Sequence, residues 1–296
     1  MKVLIAGSNS YIATHLIPYL TEKGHEVVCV ARDKKYFSSK NKIKGITVLN
    51  GDLLRSRSID PFPEDVDVAF YLANRLTQTS GFAGLEALSA QNFMDALNRT
   101  QCRQLITTGE LNNPTRDHIE NILASGKAAL TGLQTSMVIG DGSIAMDLFD
   151  ALTRNTPIVI TNAWAEAKIQ PVYIDDVLAY LNDCLLNRAT YNHKLDICGS
   201  QILTFKQMML IYIAMYKADN RPNIVILPSL NARLASYLAN FLSPINYPEA
   251  QSLLENLKYD SVSCDNSIND IVPRESVTFK ESLKLIHDKD ERVVHA

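Results

Sequence analysis

The first 33 residues of the chain carry the pattern that most restricts its fold. Residues 3–6 form a short apolar run, which predicts a buried parallel strand. Residues 11–23 place apolar side chains at helical spacing, and Gly24 stands where a helix would end. Residues 26–31 predict a second strand. Strand, small-residue turn, helix and strand in this order form a βαβ unit, which is typical of dinucleotide-binding proteins.

The turn between the first strand and the helix is suited to a pyrophosphate. Backbone N–H groups and the positive end of the helix dipole meet at such a turn. The dinucleotide fingerprint has glycines at three positions, which here hold Gly7, Ser10 and Ala13. Gly7 allows the tight turn, Ser10 is small enough for the backbone to approach phosphate, and Ala13 permits close helix–strand packing. The alternative, on the turn alone, is an ordinary βα connection in an α/β sheet.

Composition and charge exclude several classes of protein. The chain has 296 residues, of which 46% are hydrophobic and 21% charged, as in globular proteins of one or two domains. Its net charge of −3 leaves no basic surplus for nucleic acid. No apolar run approaches the ~18 residues of a transmembrane helix, and the first residues lack the apolar core of a signal peptide. We therefore expect a cytoplasmic protein with no nucleic-acid partner and no transmembrane segment.

Cysteine and histidine spacing predicts no metal site. The five cysteines are scattered, without a C-x-x-C pair, and the six histidines form no H-x-x-x-H pattern. This is typical of free thiols in a reducing compartment. The cysteines are Cys29, Cys102, Cys184, Cys198 and Cys264.

Strand and helix signals alternate along the first half of the chain, which predicts an α/β fold: a Rossmann-type doubly wound parallel sheet with a smaller C-terminal lobe. The predicted strands are 46–49, 66–73, 104–108 (ended by Gly109) and 129–139, and the predicted helices are 82–97 and 118–123. We interpret residues 1–165 as the NAD(P)-binding domain. Residues 166–296 would complete the sheet and form the lobe, all within one compact body.

The second half predicts fewer regular elements. Residues 157–160 and 194–198 are expected to be strands. Asp175 is expected to cap a helix that runs through Asn187, and Thr204 a helix with the apolar run 208–215. We interpret that run as a buried core helix rather than a membrane or cofactor segment.

Four segments of the chain resemble motifs of one superfamily, the extended and atypical short-chain dehydrogenase/reductases. Residues 6–13 look like their G-x-x-G-x-x-[GA] start, and residues 51–53 match their adenine-contacting G-D-[LVM]. Residues 170–177 match their Q-P-V-x-V-x-D-V segment, and residues 196–205 their E-I-G-G-P…L-T-[FY] stretch. The likeness covers residues 1–275 and is greatest to bacterial NmrA-like or nucleoside-diphosphate-sugar epimerase-like NAD(P)H-binding proteins. It implies dinucleotide binding.

The motifs and the resemblance together predict a set of residues that contact the cofactor. These are Gly7, Asn9, Ser10, Tyr11, Ile12, Arg32, Asp52, Leu53, Leu72, Ala73, Asn74 and Thr107.

The end of the second strand predicts NADP(H) as the preferred cofactor, with NAD(H) possible. An NAD-selective site places an acidic residue there, to accept a hydrogen bond from the ribose 2′-hydroxyl. This chain has Ala31 and then Arg32, whose guanidinium suits a 2′-phosphate. Asp33 would weaken this preference if its side chain pointed inward.

The catalytic pair of the superfamily is missing from its expected place. Classical members use Y-x-x-x-K, in which the Tyr is the general acid/base and the Lys lowers its pKa. Residues 109–118 contain neither Tyr nor Lys. The catalytic residue is therefore unknown, and Thr108 and Tyr173 are the weak candidates. The alternatives are that Thr107 and Thr108 only finish a strand, that Tyr173 only packs, and that His118 is an ordinary surface histidine.

Two functions remain open from the sequence. One is an NADP(H)-dependent oxidoreductase that acts on a small carbonyl, quinone or isomerisable substrate with a non-standard acid, and that turns over nucleotide sugars slowly or not at all. The other is a non-catalytic dinucleotide-binding protein that senses redox state or scaffolds a partner. The substrate and any partner protein are unknown, and the protein is expected to be a monomer or homodimer.

The C-terminal lobe, residues 200–257, is expected to form an apolar wall of the substrate pocket. The alternative is that its side chains cap the core or form a dimer contact. The wall residues proposed are Tyr212, Tyr237, Phe241 and Leu242.

Overall fold

The structure is a computed structural model in which two compact units are described. The described residues are 1–40, 43–73, 83–111, 116–153, 157–161, 163–217, 222–226 and 259–294. Unit 1 comprises residues 1–134, 177–196 and 265–273, and unit 2 comprises residues 135–176, 197–264 and 274–296. The two units interleave along the chain. The boundary at residue 165 stays a prediction.

The elements are numbered in chain order. The strands are β1 (Lys2–Ala6), β2 (Glu26–Ala31), β3 (Ile46–Asn50), β4 (Val68–Tyr71), β5 (Gln104–Glu110), β6 (Ala129–Thr135), β7 (Val138–Ile139), β8 (Ile158–Thr161), β9 (Lys168–Ile169), β10 (Val172–Tyr173), β11 (His193–Ile197), β12 (Leu203–Thr204) and β13 (Asn223–Ile226). The α-helices are α1 (Tyr11–Glu22), α2 (Lys34–Lys40), α3 (Ala83–Leu97), α4 (Arg116–Ala124), α5 (Ile144–Thr153), α6 (Ile174–Asp183), α7 (Phe205–Tyr216), α8 (Ser267–Ile271) and α9 (Phe279–Val294).

The central sheet has seven strands in the order β11-β6-β5-β4-β1-β2-β3. Strand β1 pairs in parallel with β2 on one side and with β4 on the other. The chain therefore winds outward in both directions from β1 and β4, which is the doubly wound order of dinucleotide-binding folds. Ligands of such sheets bind at the carboxyl ends of the strands, where the winding reverses. The predicted Rossmann-type fold class is confirmed.

The opening βαβ unit forms as the sequence predicts. Residues 3–6 of β1 are fully buried, as expected of a parallel strand covered on both faces. The apolar stripe of α1 is buried at Ala13, Leu16, Ile17 and Leu20. Gly24 has φ +81°, which is the left-handed conformation that commonly ends a helix.

Three element predictions need correction. The strand predicted over 129–139 is two strands, β6 and β7, because the chain leaves the large sheet at Ser136, whose hydroxyl bonds Ser261. Helix α6 begins at Ile174, so Asp175 lies in its first turn and does not cap it. Strand β5 continues through Gly109 to Glu110.

The described residues of unit 2 form three two-stranded sheets and the predicted core helix. The pairs are β7–β10 and β8–β13, both parallel, and β9–β12, antiparallel. The hydroxyl of Thr204 caps α7 and Gln207 completes a capping box. Met208 and Met209 are fully buried, which confirms the core-helix interpretation of the 208–215 run. Among the described residues, no helix is long and apolar enough to cross a membrane.

The free thiols differ in their surroundings. Cys29, Cys102 and Cys184 are buried in unit 1, whereas Cys264 is exposed. Burial raises the pKa of Cys29 and Cys184 to about 12, and that of Cys102 to about 11. These three thiols are therefore protonated at neutral pH.

Candidate functional site

The turn after β1 is packed against the end of β4. Gly7 has φ +82°, a conformation in which other residues are strained. A Cβ atom at Gly7 would also collide with the backbone of Leu72 and Ala73, and it would lie 2.7 Å from the Ala73 Cα. Only glycine fits this position. The structure thus brings three of the predicted cofactor residues together at the carboxyl ends of β1 and β4.

Ser10 closes the turn and begins α1. Its N–H donates to the Gly7 carbonyl oxygen at 2.9 Å, and its hydroxyl accepts from the Ala13 N–H at 3.3 Å. The first N–H groups of an α-helix have no acceptor within the helix itself, and those of α1 follow Ser10 directly. The first turn of α1 contains no acidic side chain. Backbone donors and a positive helix end, without a repelling carboxylate, suit a pyrophosphate.

At the end of β2, the side chains of Arg32 and Asp33 have different surroundings. Arg32 is exposed, and it forms no ion pair within the described ranges. The Asp33 carboxylate accepts the Tyr36 N–H at 2.9 Å, and the Asp33 carbonyl accepts the Phe37 N–H at 2.9 Å. Asp33 therefore serves as the N-terminal cap of α2, an element that the sequence analysis missed.

The Gly51–Leu53 segment lies beside the end of β2. The Gly51 N–H donates to the Ala31 carbonyl at 2.9 Å. One Asp52 carboxylate oxygen accepts the Leu54 N–H at 3.1 Å. The Leu53 carbonyl accepts from the Asn92 side chain at 2.8 Å, which ties the segment to α3. The segment is thus fixed next to Ala31, one residue before Arg32.

Thr107 has a structural contact that its sequence position did not reveal. It pairs with Tyr71 across β5 and β4, and its fully buried hydroxyl donates to the Tyr71 carbonyl oxygen at 3.0 Å. Thr108, the next residue of β5, is also buried. The Thr107 contact favours the alternative in which this hydroxyl supports the sheet. Asn74 and residues 112–115 lie outside the described residues.

Tyr173 lies in unit 2, in β10, and is 4% exposed. Its hydroxyl has no hydrogen-bond partner among the described residues. The Lys289 ammonium, from α9, lies 5.6 Å from the centroid of the Tyr173 ring and 2.8 Å from an Asp175 carboxylate oxygen. Burial raises the pKa of the Tyr173 phenol, and Lys289 opposes that rise. The phenol is therefore protonated at neutral pH.

Two of the motif segments meet in unit 2. The Gln170 amide donates to the Gly199 carbonyl at 2.8 Å and accepts the Ser263 N–H at 3.1 Å. A Cβ atom at Gly199 would collide with the Pro171 carbonyl oxygen, so glycine is required there. The Q-P-V and D-I-C-G segments therefore share one close backbone contact.

Of the four residues proposed for an apolar pocket wall, the structure describes Tyr212. It is buried in α7. Its ring stacks on that of Tyr216, with 4.8 Å between the ring centroids, and its centroid lies 5.5 Å from that of Phe149. These contacts favour the alternative in which Tyr212 belongs to the core. Tyr237, Phe241 and Leu242 lie outside the described residues.

A comparison with known protein families gives a match that is consistent with the Gly7 turn and with the strand order of the sheet. Residues 7–137 match the family model described as NAD(P)H-binding. No protein of curated function matches the chain. Residues 7–137 are therefore similar to NAD(P)H-binding domains, in agreement with the Rossmann-type sheet.

Solved structures share the whole fold at low sequence identity. The Citrobacter sp. triphenylmethane reductase complexed with NADP(H) has a TM-score of 0.74 and 13% identity, over 97% of this chain and 100% of that one. The yeast methylglyoxal/isovaleraldehyde reductase complexed with NADPH has a TM-score of 0.70 and 12% identity, over 100% of each chain. An epimerase of Methanothermobacter thermautotrophicus has values of 0.72 and 13%, over 97% of this chain and 91% of that one. The fold is therefore the one that the resemblance to atypical and extended short-chain dehydrogenase/reductases implies.

Proposed function

We propose that the protein is an NADP(H)-dependent oxidoreductase of the atypical short-chain dehydrogenase/reductase type, which acts on a small substrate without a Tyr-x-x-x-Lys pair. One observation carries the cofactor part of this proposal. The Gly7 turn is locked against Leu72 and Ala73 at the point where the sheet winds outward, and the first amides of α1 follow it. The other predicted contacts, Asn9, Asp52, Leu53, Asn74 and Thr107, belong to the same proposal.

We infer the preference for NADP(H) over NAD(H) from the different contacts of Arg32 and Asp33 at the end of β2. A carboxylate that reads the ribose must be free to accept from its 2′-hydroxyl. One oxygen of the Asp33 carboxylate accepts the Tyr36 N–H, and this contact directs the carboxylate toward α2. Arg32 is exposed beside it, and a guanidinium binds phosphate through paired donors.

A carbonyl or quinone is the substrate class that we favour. Reduction of a carbonyl needs a hydride from the cofactor and a proton for the oxygen. Tyr173 and Thr108 are the proposed donors, and the protonated phenol of Tyr173 is the better acid of the two. Two of the similar structures are reductases by their descriptions, one of methylglyoxal and isovaleraldehyde and one of triphenylmethane compounds.

A second candidate function is a non-catalytic dinucleotide-binding protein that senses redox state or scaffolds a partner. The burial of the candidate hydroxyls supports it, since Thr108 is 5% exposed and the Tyr173 hydroxyl is enclosed. A hydroxyl that no substrate can reach transfers no proton.

One experiment separates the two candidates. NADPH and NADH binding is measured by isothermal titration calorimetry, and NADPH oxidation is then followed over a panel of aldehydes, ketones and quinones. We expect micromolar NADPH binding, weaker NADH binding, and oxidation with at least one panel member. Tight binding without oxidation of any panel member would favour the non-catalytic protein, and an absence of binding would contradict both.

A further inference from the structure

Ser8 connects two parts of the cofactor site. Its hydroxyl donates to the Val30 carbonyl oxygen at 2.6 Å, and the side chain is 2% exposed. Ser8 lies in the turn after β1, whereas Val30 lies in β2, two residues before Arg32. The bond therefore joins the turn proposed for the pyrophosphate to the strand end proposed for the 2′-phosphate.

The strand end is held on its other sides as well. The carbonyl of Ala31, which follows Val30, accepts the Gly51 N–H at 2.9 Å. Asp33, which follows Arg32, is fixed as the cap of α2 by the Tyr36 N–H. The backbone on both sides of Arg32 is thus bonded. The pairing of β1 with β2 ends at Ala6 and Val30, and beyond that pair the Ser8 hydroxyl adds a bond from the turn to β2.

From this geometry we infer that Ser8 is a specificity-determining positioning residue, which sets the spacing between the pyrophosphate turn and Arg32. The inference rests on the proposed function. A dinucleotide places its pyrophosphate and 2′-phosphate at a limited separation, so one molecule gains both contacts only if the protein groups are held at that spacing. Ser8 acts through Arg32 and does not itself need to touch the cofactor.

Loss of Ser8 changes the affinities for the two cofactors in one way if Ser8 only stabilises the turn, and in another way if it positions Arg32. NADPH and NADH share the pyrophosphate and the adenosine, so a general loosening of the turn weakens both equally. Only NADPH carries the 2′-phosphate. Loss of spacing to Arg32 therefore weakens NADPH selectively and lowers the ratio of the NADH to the NADPH dissociation constant.

The test measures this ratio in four variants and in the wild type. Ser8→Ala is expected to lower the ratio about five- to tenfold, the size of one lost hydrogen bond. In the Arg32→Ala background, Ser8→Ala should leave the ratio unchanged, because the guanidinium that Ser8 would position is absent. Thr131→Val is the matched control, since it removes another buried hydroxyl that donates to a backbone carbonyl, that of Thr190 at 3.0 Å, and it should leave the ratio unchanged.

Amide hydrogen exchange without cofactor gives a second readout. Residues 31–33 should exchange faster in Ser8→Ala than in the wild type, and as in the wild type in Thr131→Val. Wild-type selectivity that survives Ser8→Ala, an equal loss for both cofactors, or a lowered ratio in Thr131→Val would overturn the inference alone. A wild-type protein that binds neither cofactor would overturn the proposed function as well.

Discussion

The Asp33 carboxylate accepts the backbone N–H of Tyr36 at 2.9 Å, so the acidic residue nearest to Arg32 is engaged with the protein's own backbone. This contact bears on two possibilities that the sequence leaves open. An Asp33 carboxylate directed at the ribose would repel a 2′-phosphate, whereas one directed at the first turn of α2 stabilises that helix.

Arg32→Ala should therefore weaken NADPH binding about 10- to 100-fold, because a hydrogen bond to a charged group contributes roughly 1.5–3 kcal/mol. NADH binding should change little. Titration of both cofactors checks this. Asp33→Asn is the control, since asparagine is also a good cap, and it should leave the affinities for both cofactors nearly unchanged. A marked gain of NADPH affinity in Asp33→Asn would contradict the assignment, because it would mean that the carboxylate repels the 2′-phosphate.

Gly7→Ala should abolish cofactor binding and lower the stability of the protein. The new methyl group would collide with the backbone of Leu72 and Ala73, which cannot move without shifting β4. Gly24→Ala is a matched control, because Gly24 has nearly the same φ (+81° against +82°) but no atom within 4 Å of its Cβ position. It should cost only about 1 kcal/mol of conformational strain. Thermal unfolding with NADPH titration measures both effects, and similar losses in the two variants would argue against the collision.

Tyr173→Phe should separate stability from activity. The hydroxyl that it removes has no partner among the described residues, so the melting temperature should stay the same or rise. If Tyr173 donates the proton, turnover should fall about 10²- to 10⁴-fold. Tyr180→Phe provides the opposite pattern as a control, since its hydroxyl donates to Asn269 at 3.0 Å and its loss should lower stability and spare turnover. Full turnover in Tyr173→Phe would exclude the phenol as the acid.

Asp67 should contribute to acid unfolding. Its carboxylate accepts the Lys2 N–H at 2.9 Å and a bond from Arg103 at 2.8 Å, and these contacts lower its pKa from the ordinary value of 3.8. A lowered pKa in the folded state gives stability that is present above pH 3.8 and is lost as pH falls through the folded pKa. Asp67→Asn should be less stable than the wild type at pH 7. The difference in the free energy of unfolding should disappear once the pH falls below the folded pKa of Asp67. Denaturant unfolding at several pH values tests this, and a gap that is independent of pH would refute it.

Local patterns predicted the fold and the cofactor turn, because both depend on short stretches of chain. The apolar spacing of α1 and the small residues after β1 are readable within thirty residues. The Lys289 ammonium beside Tyr173 is not, since Lys289 and its partner Asp175 are 114 residues apart. The end of β6 was missed for the same reason, because the partner of Ser136 is Ser261, 125 residues away. Helix α2 was missed because Tyr36 and Phe37 are the two large apolar residues among its seven and give no periodic signal, although Asp33 was chemically suited to cap it.

The unequal exposure of the thiols has a practical consequence for measuring cofactor binding. Thiol-reactive labels attack the thiolate, which is scarce for groups whose pKa lies near 11 or 12. A maleimide fluorophore added near neutral pH should therefore attach at the exposed Cys264 before Cys29, Cys102 or Cys184, and the half-buried Cys198 is the one further thiol to replace. A chain with Cys198 replaced thus carries an attachment point in unit 2 for a fluorescent reporter, without replacement of the buried cysteines.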